Sequence, residues 1–85
     1  MSSLTYSERF LTWMTIEQGR SPRTIEAYRR DLHRYESFLV TKSCDVLSVQ
    51  SPVIEQFIAS LRAEGKAAKS VARMYAAVRM MHRYL

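Results

Sequence analysis

The sequence predicts an all-α domain, a compact four-helix bundle. Apolar residues recur every three to four positions in four separate segments. The two glycines and two prolines all lie between those segments, where chain breakers mark helix ends. No alternating apolar–polar stretch reads as a strand, and there is no internal repeat or low-complexity tract. The 85 residues make one domain, 1–85, and at 47% hydrophobic and 25% charged the chain reads as globular rather than disordered.

The first helix is expected over about residues 5–18, where Tyr6, Phe10, Trp13 and Met14 form the core stripe and Gly19 suits the left-handed position past the end. The second is expected over about 22–41. Ser21 can cap it with its hydroxyl, Pro22 lacks the N–H that a first turn leaves unpaired, and Ile25, Tyr28, Leu32, Tyr35 and Leu39 form its stripe. Residues 42–50 read as a loop tucked under the bundle, anchored by Val46, Leu47 and Val49. Ser51-Pro52 repeats the Ser-Pro start for a third helix over about 52–64, with Val53, Ile54, Phe57, Ile58 and Leu61 inward and Gly65 as its end. The fourth runs from about 67 to the last residue, with Val71, Met74, Tyr75, Val78, Met81 and Leu85 on the apolar face. Tyr6, Tyr28, Tyr35 and Tyr75 are therefore assigned to packing.

Charge is unevenly distributed. Residues 20–42 carry net +3 and residues 66–85 net +5, while residues 1–19 and 43–65 carry −1 and −2. At about 100° per residue, Arg23, Arg30 and Arg34 fall on one line opposite the core stripe of the second helix. Ala27 lies on that line, and Thr24 and Asp31 flank it. Arg29 falls off it and is expected only to pair with a neighbouring acid. On the fourth helix Lys69, Arg73 and Arg83 again oppose the core, with Ala76 and Met80 between them on a face expected to be wet. A solvated helix face usually mixes both signs as i, i+4 pairs. Bases at intervals of one to two turns with little acid between them are what a phosphate backbone requires. Three readings fit this pattern: duplex DNA as the partner, a protein-interaction module that receives an acidic helix, or two merely solvated faces.

Catalysis by this chain has no support in the sequence. There is no H-E-x-x-H, G-x-S-x-G, G-x-x-x-x-G-K-[ST] or G-x-G-x-x-G pattern, and the carboxylates are scattered. His33 and His82 have no partner at metal-ligand spacing and Cys44 is alone, so neither a metal nor a cofactor is expected. A lone cysteine suits a reducing compartment, and no apolar run approaches the roughly 20 residues of a membrane span. A cytoplasmic location is therefore expected. Leu4 and Leu11 fall on the side of the first helix opposite its core stripe, where exposure would suit them to contact with another subunit.

The segments "SPRTIEAYRRDLHRYESFL" and "KAAKSVARMYAAVRMMHRYL" carry a T-x-x-x-Y-x-x-D-L pattern (Thr24, Tyr28, Asp31, Leu32) and an S-x-A-R pattern (Ser70, Ala72, Arg73), the latter followed by Ala77, Val78 and Arg79. In these the chain resembles, from about Leu4 to Leu85, the N-terminal core-binding domain of tyrosine recombinases of the Xer type, a group that includes many phage integrases. Met80 stands where that family often has a second arginine beside Arg79. The resemblance implies a SAM-like bundle whose second and fourth helices meet double-stranded DNA at the major groove. It places Arg23, Thr24, Ala27, Arg30, Lys69, Ser70, Arg73 and Ala76 at positions that touch phosphates or base edges. Arg34 joins them from the helical wheel. The family's catalytic residues belong to a separate C-terminal domain, so this chain is expected not to be an enzyme by itself. Full-length members act with other recombinase protomers in a synaptic tetramer, and the isolated domain is expected to be monomeric. A stand-alone DNA-binding regulator is a further alternative.

Overall fold

In a computed structural model, the backbone is described for residues 3–85 and the side chains for residues 6–85. Four helices follow one another: α1 (Ser3–Glu17), α2 (Pro22–Thr41), α3 (Ser51–Ala63) and α4 (Ala68–Tyr84). Among the described residues there is no strand. The side chain of Leu4 lies outside the described set.

Local chemistry sets the helix ends. Ser21 is extended, its hydroxyl accepts the Thr24 N–H at 3.2 Å, and Pro22 opens α2 behind it. Gly19 turns the chain out of α1 at φ +62°. Gly65, at φ +83°, closes α3: its N–H donates to Arg62 O at 3.0 Å, and the Lys66 N–H reaches back to Leu61 O at 3.2 Å. That pair of bonds satisfies carbonyls the helix end would otherwise leave open. The start of α3 differs from the sequence expectation. The carbonyl of Gln50 takes the first helical bonds, from Val53 N–H and Ile54 N–H, so Gln50 is the cap residue and Ser51 lies inside the first turn. No side chain caps this helix.

The core gathers Phe10, Leu32, Tyr35, Leu39, Phe57, Leu61, Val78 and Met81 from all four helices, with Val46 reaching in from the 42–50 loop. Each such side chain contributes about 1.5–3 kcal/mol by leaving water. The rings of Tyr35 and Phe57 meet at 5.2 Å, and those of Phe38 and Phe57 at 5.4 Å. Leu47, expected as a second loop anchor, is exposed. Asp45 Oδ1 accepts the Leu47 N–H at 2.9 Å, a tight turn that sends Val46 inward and its neighbour outward.

Five other side chains depart from the helical wheels, among them Leu85, placed on the apolar face of the fourth helix but 43% exposed. Leu11 is buried, not outward. The buried side of α1 comprises Ser7, Phe10, Leu11 and Met14. A serine near its centre disguises that face in the sequence, and Trp13, placed in the core by its spacing, sits half-exposed at the edge. The Trp13 ring lies tilted 5.3 Å from that of Tyr84 and stacks 6.2 Å from that of Phe10. Tyr75 is also largely exposed, with the Arg79 guanidinium 5.6 Å over its ring. The buried arc of α4 is rotated towards Ala77, which is wholly buried, and this carries Tyr75 out. The same rotation brings Met80 in: it packs against the core and lines a groove with Trp13 and Tyr84 rather than standing on a wet face.

Candidate nucleic-acid interface

The two basic helices are joined directly. Asp31 on α2 and Arg73 on α4, 42 residues apart, form a two-pronged pair: Arg73 Nε donates to Asp31 Oδ2 and Nη2 to Oδ1, each at 2.8 Å. Asp31 is 3% exposed, whereas the Arg73 side chain is 44% exposed. Further along, the Tyr35 hydroxyl lies 2.7 Å from His82 Nε2. Arg73 is thereby held against α2 at the turn that carries Ala27 and Arg30. Its guanidinium is held charged above its ordinary range, chiefly by the hydrogen bond to Asp31 and against a smaller opposing effect of burial.

The remaining predicted residues distribute as follows. Arg23, Arg30 and Lys69 are exposed, and among the described residues none of the three forms an ion pair. Arg34 is exposed but paired: its Nη2 donates to Glu64 at the end of α3. Thr24, Ala27 and Ser70 are half-buried and Ala76 is exposed. The Thr24 N–H is occupied by Ser21, whose hydroxyl also donates to Thr24 Oγ1 at 3.0 Å, so what Thr24 has to offer a ligand is its hydroxyl proton. The start of α4 is different, because Ala67 provides no side-chain cap and the first-turn N–H groups next to Lys69 and Ser70 keep their affinity for an anion.

Arg29 stands apart, as its position off the line predicts. It grips both oxygens of Glu8 on α1, at 3.0 and 3.1 Å, and also pairs with Glu26. The Arg29 hydrogen bond holds the Glu8 carboxyl below its usual range, with burial opposing. This arginine fastens α1 to α2.

The sequence reading missed the role of Asp31, placing it only as a flank of the basic line. The available signal was its position, between the basic line and the core stripe of α2, and its presence with Arg73 in the two motifs. It also missed that Glu64 neutralises Arg34. That contact joins the end of α3 to α2 across 30 residues and leaves no mark in local spacing.

Three further titratable groups, Glu36, Tyr35 and His82, are buried or half-buried in the bundle. Burial pushes the Glu36 carboxyl up; the nearby Ser7 side chain and the charge of His33 oppose this, and Glu8 adds to it. Burial likewise pushes the Tyr35 phenol up and the His82 imidazole down, so the phenol keeps its proton and the ring stays neutral. The protonated phenol and the neutral ring share one hydrogen bond, and the tautomer of the ring sets which of them donates. Among the described residues no group of His, Cys, Asp and Glu could hold a metal ion, and no helix is long and apolar enough to cross a membrane.

Residues 7–85 match the family described as phage integrase, N-terminal SAM-like domain. Among curated proteins, the chain is 42% identical over 80 residues to a tyrosine recombinase XerD of Listeria monocytogenes, covering 92% of this chain and 27% of that protein. It is 36% identical over 81 residues to a tyrosine recombinase XerD of Staphylococcus saprophyticus and 35% identical over 81 residues to one of Staphylococcus haemolyticus, each time covering 94% of this chain and 28% of the relative. The chain thus spans a little over a quarter of the length of the curated relatives it matches. No solved structure matches it significantly.

Proposed function

Because the chain belongs to the N-terminal SAM-like domain family of phage integrases, we infer that it is the DNA-binding domain of a site-specific tyrosine recombinase and holds one face of duplex DNA through α2 and α4. The observation that carries this is the triplet of exposed, unpaired cations, Arg23, Arg30 and Lys69, on two helices locked together by Asp31 and Arg73. Cations with no acid of their own are what releases counterions from a phosphate backbone. Arg34 adds its charge when Glu64 lets it go. Thr24 and Ser70 offer hydroxyls to phosphate, and Ala27 and Ala76 keep the surface low enough for a groove wall to approach. Arg73 meets a base edge or a phosphate.

Strand cleavage and rejoining through a phosphotyrosyl intermediate would belong to the part of the relatives that this chain does not span. The tyrosines described here serve packing and surface contacts, so this domain contributes positioning and not the nucleophile. With DNA as partner, the site of action is the cytoplasm. Synapsis with other protomers belongs to the same reading, and Leu11, being buried, takes no part in it.

The test is titration of a labelled mixed-sequence duplex with the wild type and with Arg23→Ala and Lys69→Ala. Each variant should bind more weakly and show a shallower salt dependence. Equal affinities and slopes would refute the assignment. Failure of excess unlabelled duplex to displace an acidic protein partner would instead favour an interaction module.

A further inference from the structure

We propose that Asp31 is a positioning residue that converts Arg73 from a mobile charge into a fixed, two-pronged reader of DNA; this rests on the reading that α2 and α4 face DNA. A guanidinium has five N–H groups in one plane. Asp31 takes the Nε–H and one Nη2–H, at 2.8 Å each. The edge formed by Nη1 and the second Nη2–H remains, and it presents two parallel donors. That edge matches a pair of acceptors such as guanine O6 and N7 or two phosphate oxygens.

The burial pattern separates this pair from the ion pairs of the other two arginines, Arg29 and Arg34. Glu64 and Glu8 are 45% and 47% exposed and can return to water when their arginines leave. Asp31, at 3%, cannot. Removing Arg73 from it would strand a buried charge, so the guanidinium stays clamped while its outer part faces solvent. An apolar residue would fill the same space between α2 and α4 without the cost of burying a carboxylate. What the carboxylate adds is orientation. Fixing a long side chain before binding preserves about two- to twelvefold in affinity that ordering it on DNA would lose.

The pair is also electrically neutral, which gives the proposal an outcome opposite in sign to simple charge counting. Asp31→Asn raises the net charge by one unit, yet it should weaken binding to a labelled mixed-sequence duplex by about two- to twelvefold. Arg73→Lys keeps the charge but has no fork, and it should lose nearly as much as Arg73→Ala, about 5- to 150-fold at a base edge. Circular dichroism checks the fold of each variant. Should Asp31→Asn fail to fold, Arg73→Lys carries the test. Arg73→Lys binding within twofold of the wild type, or a folded Asp31→Asn binding more tightly, would overturn the proposal and leave the DNA reading intact. Absence of salt-dependent binding by the wild type would overturn both. Selection from a randomised duplex library identifies the acceptor: a guanine preference lost in Arg73→Lys assigns a base edge, and uniform weakening assigns phosphate.

Discussion

Replacing Glu64 by glutamine should tighten DNA binding and steepen its dependence on salt. In the wild type the five cations assigned to DNA contact, Arg23, Arg30, Arg34, Lys69 and Arg73, are partly self-neutralised. Arg73 is matched by Asp31 and Arg34 by Glu64, which leaves Arg23, Arg30 and Lys69 as the uncompensated charges. Each phosphate neutralised contributes about −0.9 to the slope of log K against log salt, so the wild-type slope should be about −2.7. Glu64→Gln removes the acid from an exposed pair and frees Arg34, giving a slope of about −3.6. Raising salt from about 50 to 200 mM would then cost the wild type roughly 40-fold in affinity and the variant roughly 150-fold. An exposed ion pair of this kind contributes at most about 1 kcal/mol to stability, so the variant should remain folded. The assay is fluorescence anisotropy of a labelled duplex over a salt series at constant pH. Parallel lines for the two proteins would refute the reasoning, because Arg34 would then lie off the DNA path. A wild-type slope near −4.5 would refute it differently, showing that neither ion pair shields its arginine.

Other expectations concern the interior. Tyr35→Phe should lower stability by about 1 kcal/mol, or roughly 4–8 °C in Tm, because it leaves half-buried His82 without its partner; adding His82→Leu should recover most of that loss in urea denaturation. The lowered pKa of His82 lends stability that is fully present above the ordinary imidazole range and lost as pH falls through the folded-state value, so His82→Leu should flatten the acid side of the stability curve. Glu36 acts in the opposite sense: its raised pKa favours the folded state below the ordinary carboxylate range, and that advantage is lost as pH rises. Glu36→Gln should therefore compare better with the wild type at pH 7 than at pH 4, as read from denaturation midpoints. Gly65→Ala should cost about 1 kcal/mol from its left-handed backbone alone, since an added Cβ would meet nothing within 4 Å; an unchanged Tm would count against this.

The four helices were legible because periodicity, Ser21-Pro22, Gly19 and Gly65 are local signals, and the observed ends fall within two residues of those expected. The wheels also oriented α2 correctly, with Ile25, Leu32, Tyr35 and Leu39 all buried. They failed where small or polar residues occupy the buried face of a helix. Leu11 looked outward because Ser7, a small polar residue, occupies the buried side of α1, and Tyr75 looked inward because Ala77 carries little hydrophobic weight. The candidate site was legible as a list of cations but not as an electrostatic object. Which arginines are compensated depends on Asp31 and Glu64, and both partnerships arise from packing between helices distant in sequence.

The contacts that join α2 to α4 span 42 and 47 residues of chain. Neither can form within a local helical hairpin, so the entropy of closing a long loop is bound up with building the recognition surface. A peptide copied from α2 alone would keep Arg23 and Arg30 but display Asp31 as a bare carboxylate beside them, repelling the phosphates those arginines attract. Recognition is in this sense a property of the completed topology, and binding to DNA can be lost at any step that leaves α4 undocked.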